Sequence, residues 1–300
     1  MRIGLHLPQV GALAPNEIAR VARRAEQAGW DSLWVSDHLL VPASGGELPP
    51  VELDEPLTLL AWVAAATRSI RLGTSVLVLP YRNPIHLAKE LATLERLCGS
   101  RLVVGVASGW LEAEFHALGA PWERRGEYTD EAIDLMRALW ASPEPDFRGR
   151  FFSISGMRFG PRPGSGRIPL WVGGTSRRAV RRAVERGDGW HGSRLSPQGV
   201  AERVGWLREI AAAKGRSLDG FTISTRAYVG LGERWTETGG YLQGVLAPAD
   251  ELAEYLDHLA AAGVEELLLT PLPFGAELDS FLDRFESEVR PRLASASRKT

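Results

Sequence analysis

Apolar positions recur along the chain in two alternating rhythms. Short runs at Ile3–Leu7, Ser32–Ser36, Ile70–Leu79, Arg101–Val106, Ile168–Val172, Trp190–Gly192, Phe221–Val229 and Glu265–Leu269 have the length and apolar content of strands. Longer stretches between them carry apolar residues on one helical face. The first places Ile18, Val21, Ala22 and Ala25 at i, i+3, i+4 and i+7 and ends at Gly29. The same reasoning predicts helices over Leu57–Ala66, Ile85–Leu97, Asp130–Trp140, the strongly basic Ser176–Arg186, Pro197–Lys214, Ala249–Ala262 and Leu278–Arg290. Strands that alternate with helices form parallel sheets with crossover connections. Eight such units in 300 residues predict an α/β fold, a (β/α)8 TIM barrel with insertion segments in its loops, rather than an open doubly wound sheet.

Three segments break the rhythm. Val41–Pro56 is a Pro/Gly-rich excursion longer than most strand-to-helix loops, and it reads as a lid. Pro143–Gly166 is an insertion in which Phe147–Ser155 predicts a hairpin. Gly230–Gly244, with Trp235 and Tyr241, reads as an irregular loop. The expected organisation is one barrel domain over residues 1–300, with an insertion near 143–166 and the irregular loop near 230–244.

Composition narrows the function classes. Thirty-five Lys and Arg against 37 Asp and Glu leave a formal charge of −2, which favours neither nucleic acid nor a membrane surface as partner. Cys98, the single cysteine, forms no internal disulfide and supplies no thiolate zinc site, as expected in a reducing cytoplasm. The N-terminus lacks the apolar run of a signal peptide, and no stretch approaches the ~20 apolar residues of a membrane helix. A soluble cytoplasmic protein is the expectation. No His/Cys/Asp/Glu group has metal-ligand spacing, and no Gly-x-Ser-x-Gly elbow occurs.

In a barrel of this kind the chemistry sits just after the strand C-termini. His6, Asp37-His38, Ser75, Ser108-Gly109-Trp110, Gly173-Gly174-Thr175-Ser176, His191, Arg226 and Thr270 occupy those places. An imidazole at a barrel mouth exchanges protons near neutral pH and a neighbouring carboxylate influences it, so His38 with Asp37 is a candidate acid/base pair. The same dipeptide also fits a polar strand end in which Asp37 caps a turn. Gly173-Gly174-Thr175-Ser176 follows a strand and opens a helix, where unpaired amides bind phosphate. A plain glycine turn with Ser176 as N-cap fits that tetrapeptide equally well.

Several segments, in order, resemble the bacterial luciferase-like monooxygenase superfamily, in particular its branch dependent on the deazaflavin coenzyme F420. They are Ile3-Gly-Leu-His-Leu-Pro8, Gly29-Trp-Asp-Ser-Leu-Trp-Val-Ser-Asp-His38, Gly73-Thr-Ser-Val-Leu-Val-Leu-Pro-Tyr-Arg-Asn-Pro84, Leu94 to Trp110, Pro169-Leu-Trp-Val-Gly-Gly174 and Gly187-Asp-Gly-Trp190. The resemblance implies a (β/α)8 barrel that binds a flavin or deazaflavin at the strand C-terminal ends and passes a hydride to or from an organic substrate. It implies that His38, with Asp37 beside it, is the proton donor or acceptor. It implies that Ser75-Val76, often a cis peptide in the family, presses on the ring, that Ser108 and Gly109 contact the ring or ribityl chain, and that Gly173, Gly174 and Thr175 hold the phosphate. It also implies a homodimer.

Where some deazaflavin dehydrogenases carry a glutamate after the Ser/Thr-Gly step, this chain has Trp110. That acid is therefore absent, which argues against a sugar-phosphate substrate and, with Trp34 and Trp235, for an apolar one. The alternative is an FMN-dependent monooxygenase that uses oxygen and reduced flavin from a separate reductase. A flavin-binding protein without turnover is a third reading, against which the presence of both His38 and the phosphate turn argues.

Overall fold

The computed structural model describes residues 1–9, 13–43, 53–240, 243–273 and 278–293. Its strands are β1 (Arg2–His6), β2 (Ser32–Val35), β3 (Arg71–Val78), β4 (Leu102–Ala107), β5 (Phe147–Arg148), β6 (Ser153–Ile154), β7 (Leu170–Gly173), β8 (Gly189–Ser193), β9 (Thr222–Leu231), β10 (Thr236–Thr238), β11 (Gly244–Ala247) and β12 (Glu266–Pro271). Its α-helices are α1 (Pro15–Gln27), α2 (Pro56–Ala66), α3 (Pro84–Leu97), α4 (Glu112–Leu118), α5 (Arg125–Ala141), α6 (Arg177–Arg186), α7 (Pro197–Ala213), α8 (Ala249–Ala261) and α9 (Leu278–Arg284).

Eight parallel strands close on themselves in the order β1-β2-β3-β4-β7-β8-β9-β12, with β12 pairing back to β1 through Leu269 and Leu5. This is the predicted barrel, and each predicted strand matches one of the eight. Two segments differ from expectation. β9 runs on to Leu231 and β10 and β11 follow, with β11 parallel to the upper end of β9, so the predicted irregular loop at 230–244 carries the short strand β10 and the ends of β9 and β11, while Tyr241 lies outside the described residues. α4 was not predicted, and α5 begins at Arg125 rather than Asp130. The Phe147 hairpin is present as β5 and β6. Of the Val41–Pro56 excursion, residues 44–52 lie outside the described residues.

Strand alternation sorts side chains to two faces. Leu5, Leu33, Val35, Leu72, Val104, Val106, Val172 and Trp190 face the helices and join the main core. Trp34, Val103, Trp171 and Leu268 form a separate cluster inside the barrel. Below that cluster, the buried carboxylate of Glu266 accepts from Arg2 at 2.9 Å, Arg71 at 2.6 Å and Ser32 at 2.7 Å. Above it, one alternation step on, lie Ser36, Ser75, His191, Arg226 and Thr270. The pleat thus delivers polar residues from five strands to one level.

The middle layer depends on glycine. A Cβ at Gly73 would lie 2.4 Å from Trp34 Cε3 and Cζ3, and one at Gly4 2.6 Å from Trp34 Nε1. The indole cannot retreat, because it stacks on Trp171 at 5.4 Å and His191 at 5.7 Å. We predict that Gly73→Ala costs about 1–3 kcal/mol by overpacking, read as a lower melting temperature. An unchanged melt would show that the layer is looser than this packing implies.

Candidate active site

A cavity of about 380 Å³ opens at the C-terminal ends of the strands. Its lining includes the nine residues to which the family resemblance gives a role, Asp37, His38, Ser75, Val76, Ser108, Gly109, Gly173, Gly174 and Thr175, whereas His6 and Thr270, also expected at strand ends, are not in it. His191, Arg226 and Trp110 line it as well. Among the described residues, no group of three or more His, Cys, Asp or Glu is placed to hold a metal ion, and no helix is long and apolar enough to cross a membrane.

Asp37 and His38, adjacent in sequence, have different partners. The carboxylate of Asp37 accepts two hydrogen bonds from Arg82, at 2.5 and 2.9 Å, and one from the Val78 amide at 2.8 Å. Burial pushes the Asp37 carboxyl above its ordinary value, against the pull of Arg82 and that amide. His38 instead meets Glu114, whose Oε2 lies 3.1 Å from Nδ1. Glu114 also accepts from the Leu39 amide, from the Leu40 amide at 3.0 Å and from the Tyr81 hydroxyl at 2.8 Å. Burial raises the Glu114 carboxyl, but the bonds from His38, Leu40, Leu39 and Tyr81 outweigh it and hold the group below its usual value. An ionised Glu114 fixes the proton of the imidazole on Nδ1 and orients the ring. Trp110 touches that ring edge-on at 5.9 Å.

Glu114 is the residue that sequence reasoning missed. The expected glutamate beside Gly109 is replaced by Trp110, yet a carboxylate arrives from α4, one turn further on. The signal was local: Leu111, Glu114, Phe115 and Leu118 are spaced for one helical face, and Gly119 ends the helix in the left-handed region at φ 64°. A glutamate on an otherwise apolar face needs buried partners.

The floor of the cavity is a buried polar layer. His191 bonds Ser75 Oγ through Nε2 at 2.9 Å and Ser224 Oγ through Nδ1. His6 Nε2 lies 2.8 Å from Ser36 Oγ. Arg226 donates to Ser36 Oγ at 2.7 Å and Thr270 Oγ1 at 2.8 Å. Burial, with Arg226 adding, lowers His191 to about 3, and burial, Arg226 and His191 lower His6 well below its ordinary value. Unfolded imidazoles titrate near 6.5. From about pH 3 to 6.5 the unfolded chain therefore binds more protons than the folded one, and stability falls as pH drops through that window. We expect native melts to lose up to about 1.4 kcal/mol per pH unit per histidine below pH 6.5, with a shallower slope for His191→Gln. Equal slopes for the two proteins would contradict a buried neutral His191.

Ser75-Val76 is a cis peptide, located where the β3–β4 register shifts between Thr74 and Leu77. Across the cavity, Gly174 has φ 122°, and a Cβ there would lie 2.8 Å from that of Ala179. A Cβ at Gly173 would sit 3.0 Å from Val76 Cγ1. Ser176 caps α6 by accepting from the Ala179 amide at 3.2 Å. The turn is thus bare backbone at a helix start, next to the cis peptide.

The three tryptophans expected to form one apolar pocket do not share it. Trp34 is 1% exposed and belongs to the layer beneath the floor. Trp235 lines a neighbouring cavity of about 480 Å³, where it packs on Tyr255 at 5.5 Å. Arg194, Arg226 and Tyr228 line both cavities. Only Trp110 lines the first.

A closed parallel barrel with a cavity at its strand ends defines the class as a (β/α)8 barrel. The family profile of luciferase-like monooxygenases matches residues 2–264, and the chain belongs to that family. A Mycobacterium tuberculosis protein of uncharacterised function is 33% identical over 265 residues, covering 81% of this chain and 92% of its own. The F420-dependent glucose-6-phosphate dehydrogenase of Amycolatopsis mediterranei is 33% identical over 59% of this chain and 53% of its own. The FMNH(2)-dependent dimethylsulfone monooxygenase of Pseudomonas putida is 30% identical over 65% and 54%. Among solved structures, an F420-dependent secondary alcohol dehydrogenase with an F420-acetone adduct superposes with TM-score 0.82 at 18% identity, covering 97% of this chain and 98% of that one. The long-chain alkane monooxygenase LadA does so with TM-score 0.82 at 14% identity, covering 99% and 92%. Those two likenesses establish the fold. Among these, the descriptions of the Amycolatopsis mediterranei protein and the alcohol dehydrogenase name F420, and that of the Pseudomonas putida protein names reduced FMN.

Proposed function

We propose that this protein is an F420-dependent oxidoreductase that moves a hydride between the deazaflavin and a small organic alcohol or carbonyl compound. The observation that carries this reading is the His38–Glu114 pair on the wall of the cavity. Hydride exchange at an alcohol carbon requires a group that takes the hydroxyl proton, or returns it in the reverse direction. With Nδ1 engaged by Glu114, His38 does this at Nε2.

The residues present fit a phosphorylated flavin or deazaflavin. The Gly174 amide donates to the His191 carbonyl at 3.2 Å, so at the N-terminus of α6 the Thr175 amide and the first turn of the helix would hold the phosphate, with Gly173 and Gly174 leaving room for its close approach. Ser75 and Val76 would lie against the ring, and Ser108 and Gly109 would border the ring and its chain. Arg226 gives the floor a fixed positive charge suited to an electron-rich ring edge. When bound, the deazaflavin supplies a carbon hydride acceptor or donor where a flavin has the nitrogen required for oxygen chemistry. Asp37, tied to Arg82, we assign to positioning the ends of β2 and β3 rather than to proton transfer. The exposed Trp110 beside His38 favours an apolar substrate over a charged sugar phosphate.

The Pseudomonas putida relative supports a second reading, FMN-dependent monooxygenation. Titration of the purified protein with F420 and with FMN, followed by tryptophan fluorescence, separates the two. We expect F420 to bind at least tenfold more tightly. Selective binding of FMN would transfer the assignment to the monooxygenase reading.

A further inference from the structure

α6 carries five arginines in ten residues, and the cofactor site as described uses none of them. Its buried face, Ala179, Val180, Ala183 and Val184, explains why the helix is amphipathic but not why the other face is arginine. That face borders a groove of about 510 Å³ shared with the start of α5. Ser108, Arg125, Ser176 and Ala179 line both the groove and the active-site cavity, so the groove begins at the phosphate turn.

Charge in the groove is uneven. Of its acidic residues, Asp130 is paired with Arg182 at 2.5 Å, Glu127 with Arg124 at 3.3 Å and Glu185 with Lys214 at 2.8 Å. Arg125 stacks on Trp122 at 3.7 Å and donates to the Trp122 carbonyl. This leaves Arg125, Arg178 and Arg181 facing Glu123, a net positive trough leading away from the turn.

We infer that this groove binds an anionic extension of the cofactor beyond its phosphate, a chain of carboxylates such as F420 carries and FMN lacks. The inference rests on the F420 reading above. Guanidinium groups bind carboxylates in a forked, charge-assisted geometry. An arginine trough without lysines suits repeated carboxylates, and its start at the phosphate turn suits a ligand covalently continuous with the phosphate. Arg178 and Arg181 therefore select between cofactors without touching the reacting ring.

The test compares F420 with its glutamate chain intact, F420 enzymatically trimmed of all glutamates, and FMN, titrated at low salt against the native protein and R178E/R181E by tryptophan fluorescence. We expect the native protein to bind intact F420 about tenfold more tightly than the trimmed form, equivalent to about 1.4 kcal/mol. This advantage should shrink as salt rises. In R178E/R181E the advantage should fall within twofold while trimmed F420 binds as before. Equal binding of both forms to the native protein overturns the inference alone, as does equal weakening of both in the variant. Binding of FMN with neither form of F420 bound would overturn the cofactor reading and the inference together. Both arginines are exposed, and should R178E/R181E not fold, R178Q/R181Q provides the same comparison.

Discussion

Replacing His38 with alanine is expected to slow single-turnover hydride transfer by about 10²- to 10⁴-fold, the contribution of a positioned acid/base group, while cofactor affinity stays within about threefold. The two effects separate because His38 and the phosphate turn lie on different elements of the cavity wall. The variant should also fold. Glu114, which loses its His38 partner, keeps the Leu39 and Leu40 amides and the Tyr81 hydroxyl, so no bare charge is left in the interior. Stopped-flow reduction of bound cofactor measures the rate, and fluorescence titration measures the affinity. An unchanged transfer rate would remove His38 from the chemistry, whereas joint loss of affinity and melting temperature would make it a structural residue.

The second large effect concerns stability. Arg82→Ala would strand the Asp37 carboxylate, whose side chain is fully buried, with the Val78 amide as its remaining donor among the described residues. Breaking a buried pair from one side typically costs about 3–5 kcal/mol. At roughly 2–4 °C per kcal/mol for a chain of this size class, the melting temperature should fall by about 10 °C. Removing the charge as well relieves the defect, so Asp37→Asn combined with Arg82→Met should be more stable than Arg82→Ala alone. A melt of Arg82→Ala within about 2 °C of native would show that Asp37 is served by water or is already neutral. The same pair bears on function. A carboxylate committed to Arg82 is poorly placed to tune the adjacent imidazole, and Glu114 stands in that position.

The barrel was legible because its information is local and repeated. Leu33, Val35, Leu72 and Val104 mark strand faces, and breakers such as Gly29 and Pro80 mark their ends. The same period explains one misreading. Trp34 precedes Ser36 by one alternation step on the inward face, so it packs a layer below the cavity and cannot reach a substrate. β10 gave little signal because Thr236 and Glu237 are exposed and show no apolar alternation, and β11 because its alternation spans only the four residues Gly244–Ala247. Eight of the nine predicted lining residues followed from the convergence of strand C-termini, which is a rule of topology, and the ninth, Val76, from the family resemblance. Their partners did not, because pairing is long-range: 45 residues separate Asp37 from Arg82 and 76 separate His38 from Glu114. A bare Asp-His dipeptide suggests that the two act on each other. The fold turns them toward different partners.

The most direct test of the central claim is an anaerobic reaction of the purified protein with F420 and a panel of small secondary alcohols, and in reverse with reduced F420 and apolar ketones or enones, followed by deazaflavin absorbance. The account predicts oxygen-independent, enzyme-dependent interconversion of the two redox forms of F420 with at least one apolar substrate, slowed about 100-fold or more in His38→Ala. Turnover only with reduced FMN and oxygen, with no change in F420 absorbance under any of these conditions, would contradict it.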